Sequence, residues 1–441
     1  MNKFFIPVIA FLLISCATQK KQTSSTLPVS LSSELHTAAT KQAHIGFILK
    51  DISDDRIVFQ DNADKNFIAA SNIKLLNFLV GLNMLRDSVP SIQYIIKKDS
   101  LIIWPMADPS FLHSDFSRQK AFEFIKNSGK DIYIVSGRYK GQKYGNGWAW
   151  DDFNESFQPE ITAFPIYGNV IKCEQDAVKG LKLSPDLASL YFAELKVKGS
   201  EPTIRRQVDN NNITIPKGLV NGYKQYIPIQ FNRNIFESLL TDTLLATGMT
   251  TSNVTTIPNR PVPSNTKTIF NVSAMEVYEK MLQNSDNFLA EEMLLNYAAA
   301  NDMEINSQKL IETAIAQYLS PDDVVKWVDG SGLSRLNLAS PQSMVNILQK
   351  ISLKLNNEKL LFSTLATGGK SGTLKNMFTE GEPFVFAKSG SMSGVYNLSG
   401  YLIGASGKKY AFSYMSNHFT GPVKNMQKEV EGFLNVVRTK Y

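Results

Sequence analysis

The apolar positions of this chain change rhythm several times, and each change marks an element. Residues 44–52 and 56–61 are short β-type runs on either side of Ser53-Asp54-Asp55, a pattern that predicts a hairpin. Residues 69–87 then carry apolar side chains on nearly every side, among them Ile73, Leu76, Leu79, Val80 and Met84. A helix without a polar face belongs in a domain interior, and Ser71 suits its N-cap or first turn. From about 90 to about 234 the texture is short and mixed, broken by many Gly, Pro and Asn residues. Helical spacing returns at 235–248, 274–284 and 287–300, with 307–319 a further candidate. Residues 384–388, 395–403 and 410–417 predict three strands joined by glycine-containing turns, and 423–441 an amphipathic helix. These elements describe an α/β (α+β) fold whose sheet and helices come from both ends of the chain. Residues 41–89 and 235–441 form that domain, and 90–234 are inserted into it.

Composition changes this picture mainly at the N-terminus. The 441 residues, 43% hydrophobic and 20% charged, are ordinary globular material, enough for two or three domains. A net charge of +6 without Lys/Arg runs suits anionic surroundings such as a cell wall and gives no basis for nucleic-acid binding. Lys3 precedes an apolar run from Phe4 to Ile14, which ends in Leu13-Ile14-Ser15-Cys16. That pattern predicts a secretory signal over 1–16, too short to span a bilayer stably. The Cys16 ending resembles the bacterial lipobox, in which the cysteine is diacylated and becomes the first mature residue. Residues 17–40, opening on Thr, Ser, Gln and Lys, are expected to be a flexible tether. With Cys16 lipidated, Cys173 stands alone and no intramolecular disulfide can form. His36, His44, His113 and His418 are scattered, without HExxH or Cys/His spacing, so neither zinc nor another cofactor is expected.

Three short motifs carry candidate chemistry. In Ser71-Asn72-Ile73-Lys74 the i, i+3 spacing sets an amine beside a hydroxyl on one helix face. A lysine made neutral by burial or by a second cation can take the serine proton and activate the nucleophile. The spacing recurs at Ser117–Lys120, Ser264–Lys267 and Ser406–Lys409, but only Ser71 opens a buried helix after a hairpin. Ser285-Asp286-Asn287 sits between two predicted helices, where it can present a hydroxyl and an amide to a cleft or simply cap the second helix. Lys388-Ser389-Gly390 ends an apolar strand, followed by Ser391. A cation and a hydroxyl on a strand edge can hold a carboxylate, and Gly390 allows close approach. Lys370-Ser371-Gly372 repeats the motif without a preceding strand and reads as a turn. Gly404–Lys409 is too short between its glycines for a phosphate loop, and no GxSxG elbow occurs.

SxxK, SxN and K[ST]G in this order resemble the penicillin-binding protein and serine β-lactamase superfamily. The long interval between Lys74 and Ser285 resembles the low-molecular-mass class C penicillin-binding proteins, the D-alanyl-D-alanine carboxypeptidase/endopeptidase family. Supporting stretches are Phe67–Ser71, Ala107–Ser110, Gly147–Asp152, Ser285–Glu291, Asp329–Arg335 and Gly372–Leu374. The resemblance implies a transpeptidase/β-lactamase-like domain with an antiparallel sheet, interrupted by a large insertion. It implies Ser71 as acylated nucleophile, Lys74 as general base and Ser285 as proton relay to the leaving amine. Asn287 would hold the substrate amide, Lys388 and Ser389 its carboxylate, and the N–H groups of Ser71 and Ser391 the oxyanion. Ser389 replaces the family's usual Thr and keeps the hydroxyl. The implied partners are peptidoglycan stem peptides and β-lactams. The implied location is the bacterial envelope, lipid-anchored and facing the periplasm, at the outer membrane.

Two other readings use the same residues. A β-lactamase would need a deacylating base; Glu292 and Asn296 form an ExxxN pattern, but on the helix after Ser285. A wall-binding lipoprotein that lost turnover is the non-enzymatic reading. Trp150 with Asp151-Asp152 is expected to be an aromatic anchor and turn.

Overall fold

The central sheet has six antiparallel strands, in the order Ala366–Thr367, Val385–Met392, Val395–Ile403, Lys409–Asn417, His44–Asp51 and Ile57–Asp61. The structure, a computed structural model, describes residues 29–37, 40–185, 195–198, 203–249 and 253–441. The first strand pairs with the last, from His44 opposite Asn417 to Asp51 opposite Tyr410. Both ends of the chain therefore build one sheet.

Period-two alternation sorts the side chains of that strand between two cores. Ile45, Phe47 and Leu49 meet Val430, Phe433 and Leu434 of the C-terminal helix Val423–Lys440. Ile48 faces the opposite layer, which holds helices Lys74–Met84, Asn287–Ala300 and Pro341–Leu355. With both faces covered, the strand reads as a nearly unbroken apolar run.

The antiparallel hairpin of His44–Asp51 and Ile57–Asp61 forms where the sequence predicts it. Helices Ala274–Gln283, Asn287–Ala300 and Ser307–Tyr318 also fall within a residue of their expected ends. Other boundaries differ. The strand expected over 384–388 runs from Val385 to Met392, so Lys388-Ser389-Gly390 lies within it rather than at its end. Its partner Val395–Ile403 supplies the main-chain hydrogen bonds that extend it.

The tether expected over 17–40 does not hold for its second half. Val29–Leu35 is a helix, and Leu31 and Leu35 are buried in the core shared with the C-terminal helix. Thr37 Oγ1 donates to Glu429 Oε2 at 2.8 Å. Residues 1–28, with Cys16 and the signal segment, lie outside the described residues. Among the described residues no helix is long and apolar enough to cross a membrane.

The inserted region ends later than residue 234. Its main sheet runs Val254–Ile257, Asp131–Val135, Ser100–Pro105, Ser88–Lys97 and Lys267–Ser273. Helix Arg233–Ala246 belongs to it as well, because Leu239, Leu240 and Leu244 pack with Ile92, Leu101 and Ile132. The chain thus returns to the central layers at about Ala274, not at 235. Two smaller sheets complete the insertion, Lys224–Pro228 with Val170–Asp176 and Gly180–Ser184, and Arg205–Arg206 with Ile213–Pro216 and Leu195–Lys198.

Candidate active site

The sheet and the buried helix meet at a strained turn. Phe67–Ile68 is a short strand, Ala70–Ile73 a 3-10 turn, and Lys74–Met84 the helix that follows. Ala70 takes φ +46°, a conformation costly for a residue with a side chain. Hydrogen bonds from the sheet hold it there. Asn417 Oδ1 accepts from Ile68 N at 2.7 Å, Asn397 Nδ2 donates to Ala69 O at 2.9 Å, and Asn72 Nδ2 donates to Ser399 Oγ at 2.6 Å. Gly332 closes over the turn from outside: a Cβ there would lie 1.9 Å from Ala70 O. Of the two places expected for Ser71, N-cap or first turn, it takes neither N-cap nor capping hydrogen bond but lies in the 3-10 turn that leads into the helix. Its Oγ lies 3.1 Å from Lys74 Nζ instead, accepting from it when the lysine is an ammonium.

Lys74 is fully buried, and its other two contacts define its chemistry. Nζ donates to Asn287 Oδ1 at 2.7 Å and to Ser331 O at 2.6 Å. The Asn287 amide is oriented by its Nδ2, which donates to Phe157 O at 3.0 Å. A neutral amine has two N–H donors and one lone pair. Asn287 Oδ1 and Ser331 O can only accept, so they take both donors. The lone pair is left facing the one partner that can donate, the Ser71 hydroxyl. Burial pushes the Lys74 ammonium down to about 8, against Asp286, Asp329 and Glu291, which draw it upward.

Two buried carboxylates support this arrangement from beneath. Glu291 accepts from Ser331 N at 2.7 Å and from Gly330 N at 3.1 Å, fixing the carbonyl that Lys74 uses. Burial, with the Asp329 charge second, raises Glu291 to about 7. Asp329 accepts from Gly332 N, Ser334 N and Asn337 Nδ2 at 2.7–2.8 Å and from Trp148 Nε1 at 2.9 Å.

Strand Val385–Met392 forms the opposite wall. Gly390 brings it against the turn, since a Cβ there would lie 3.0 Å from Ser71 N. Lys388 is fully buried and donates to Ser389 O at 2.6 Å. Burial, and secondly the Lys74 charge, hold its amine well below the ordinary lysine range. Ser389 Oγ donates to Thr373 Oγ1 at 2.6 Å.

A cleft of about 600 Å³ opens over these groups, lined by Ser71, Ser285, Asn287, Thr373, Ser389 and Ser391. Asp152 and Arg335 line it too. Ser285 reaches the cleft on a backbone of φ +59°, and its side chain bonds neither Ser71 nor Lys74 here. Asp286 caps helix Asn287–Ala300 through Leu289 N at 2.9 Å, so this motif both caps and faces the cleft. Glu292 and Asn296 point elsewhere: Glu292 accepts from Thr162 N, and Asn296 donates to Pro90 O and Met106 O. Trp150 is no anchor, being 79% exposed. The Cys173 thiol is buried and pushed up to about 12, which leaves it no thiolate to use.

The motif spacing identified Ser71, Lys74, Asn287, Lys388 and Ser389, which the fold gathers around one cleft with Ser285 and Ser391. It did not identify Ser331, which acts through its main chain, or the carboxylates of Glu291 and Asp329, or Thr373. The available signal for these was the similarity of Ser285–Glu291, Asp329–Arg335 and Gly372–Leu374 to the family's pattern.

An antiparallel sheet covered on both faces, with a serine and a lysine opening a buried helix beside its edge, defines the penicillin-recognising serine hydrolase class. Within that class the chain belongs to the D-Ala-D-Ala carboxypeptidase 3 (S13) family, whose sequence model matches residues 27–437. It is 25% identical over 434 residues to the D-alanyl-D-alanine carboxypeptidase DacB of Haemophilus influenzae, with 90% of each chain covered. Its fold is similar to the crystal structure of penicillin binding protein 4 from Haemophilus influenzae, with a TM-score of 0.74 at 20% identity, covering 93% of this chain and 98% of that one. A second structure of that protein, complexed with a β-lactam, gives a TM-score of 0.68 at 20% identity and the same coverage. This chain is thus a serine DD-peptidase of the carboxypeptidase type.

Proposed function

We propose that Ser71 is the nucleophile that opens D-alanyl-D-alanine bonds of peptidoglycan stem peptides, with Lys74 as its base. The supporting observation is the Lys74 lone pair, directed at Ser71 because both other partners are obligate acceptors. In this mechanism the Ser71 proton passes to Lys74 Nζ as Oγ attacks the carbonyl carbon of the penultimate D-alanine. The oxyanion is held by the N–H groups of Ser71 and Ser391, each worth about 3 kcal/mol in comparable sites. Collapse breaks the peptide C–N bond, and the leaving amine receives the proton from Lys74 through Ser285. Water then cleaves the ester, its proton returning by the same route. Asn287 orients the substrate amide. Lys388 and Ser389 bind the terminal carboxylate, whose arrival restores the Lys388 proton that burial disfavours.

The same residues serve carboxypeptidase and endopeptidase action, which differ in what lies beyond the scissile bond. The bound β-lactam is expected to persist, because Glu292 and Asn296 are committed to the insertion rather than to the cleft. Labelling with a fluorescent penicillin tests the assignment: Ser71→Ala must abolish it, and undiminished labelling of that variant would refute the nucleophile. A muropeptide digest separates the two activities, through free D-alanine and split dimers. We further propose that Cys16 carries lipid and holds the enzyme on the periplasmic face of the envelope. Labelled palmitate should enter the wild type and be absent from Cys16→Ala, which should appear in the soluble fraction.

A further inference from the structure

We propose that the groove beside Trp150 binds the glycan chain of peptidoglycan, an inference that rests on the peptidase function above. Around the 3-10 turn Trp150–Asn154 the side chains part to two sides. Ala149 and Asp152 line the catalytic cleft, whereas Trp150 and Asp151 line a neighbouring groove of about 510 Å³. The far wall of that groove is Arg205 and residues 207–210.

An indole can remove 150–250 Å² from water, on the order of one large core side chain, yet Trp150 is left 79% exposed. The turn beneath it is fixed. Gln158 Nε2 donates to Ala149 O at 2.9 Å, and Asn154 Oδ1 accepts from Arg206 N at 2.7 Å. The opposite wall is wound around the same buried guanidinium. Arg206 donates to Gln207 O at 2.7 Å, Asn210 O at 3.1 Å and Phe153 O at 3.3 Å, and lies 5.2 Å over the Phe153 ring. One interior side chain thus ties both walls, and the groove exists before any ligand arrives.

Its chemistry matches a saccharide. An indole face is electron-rich and attracts the C–H face of a sugar ring. Around it stand Asp151, Arg205 and Gln207, whose carboxylate, guanidinium and amide N–H groups can meet hydroxyl and acetamido groups, with Asn210 Nδ2 holding Gln207 Oε1 at 3.0 Å. The groove adjoins the cleft through consecutive residues, Asp151 and Asp152. On this proposal a substrate whose stem peptide enters the cleft carries its sugar to the groove.

The test compares one pentapeptide ending in D-Ala-D-Ala with the same pentapeptide attached to its disaccharide, measuring D-alanine release by the full-length enzyme. Trp150→Ala is expected to raise KM for the disaccharide form about tenfold and to leave the bare peptide within about twofold. Trp150→Phe should restore most of the loss. An equal effect on both substrates, or none on either, would overturn the glycan assignment. Penicillin labelling of each variant reports an intact active site. If the wild type released no D-alanine from either substrate, split no cross-linked dimer and took up no penicillin, the peptidase reading would fall, and the groove's role with it.

Discussion

In the proposed mechanism the protonation of Lys74 sets the pace. Its neutral form would be the base, and its ammonium sits near 8, so the neutral fraction grows as pH rises through that value. Penicillin acylation of the free enzyme should therefore increase tenfold per pH unit below about 8 and level off above it. A rate that is flat from pH 6 to 9 would exclude Lys74 as base. Lys74→Arg should lose about 10²–10⁴-fold in acylation, because a guanidinium keeps its proton throughout this range. Glu291 tests the support beneath. Its charge draws the Lys74 value upward and its two oxygens fix Ser331. Glu291→Gln should move the acylation midpoint to lower pH, and opposing an N–H with an amide should cost about 1–3 kcal/mol in rate or stability. At this scale the sequence was legible wherever a side chain acts at a fixed spacing, as with Ser71 and Lys74. It was silent on Ser331, whose contribution is a carbonyl that every residue type possesses.

Among the elements, the turn before Ser71 concentrates the constraints. Ala70 is held at positive φ by the sheet on one side and by Gly332 on the other. Gly332 itself has φ +80°, so Gly332→Ala meets both a collision with Ala70 O and unfavourable backbone geometry. The variant should lose about 1–3 kcal/mol or more, and penicillin labelling should slow in step. Normal labelling and normal melting together would show that the close approach is not needed. Helices 274–284 and 287–300 were legible because Ser, Asp and Asn mark their starts and apolar periodicity runs to their ends. Strand Val385–Met392 was not legible in full. Its second half, Ser389–Met392, is short on apolar residues and owes its conformation to pairing with Val395–Asn397 and beyond.

Across the whole molecule, the boundaries of the insertion were the hardest to see. Strands Val254–Ile257 and Lys267–Ser273 join a sheet begun near Ser88, and pairing over that distance leaves no local mark. The N-terminal segment misleads in a different way. Its Ser- and Thr-rich composition hides Leu31 and Leu35, one turn apart on a seven-residue helix and both buried. Replacing both by Ala should lower the urea midpoint by an amount equivalent to several kcal/mol, since buried Leu→Ala typically costs about 2–5 kcal/mol. An unchanged midpoint would mean that this helix is not docked in solution.

The pairing of His44–Asp51 with Lys409–Asn417 has a consequence for how the enzyme comes into being. Ser71 is synthesised early, but Asn397, Ser399 and Asn417, which brace its turn, are made almost last. A growing or truncated polypeptide therefore lacks the side chains that brace the Ser71 turn until the final strands dock. Such distant pairing also makes folding slow.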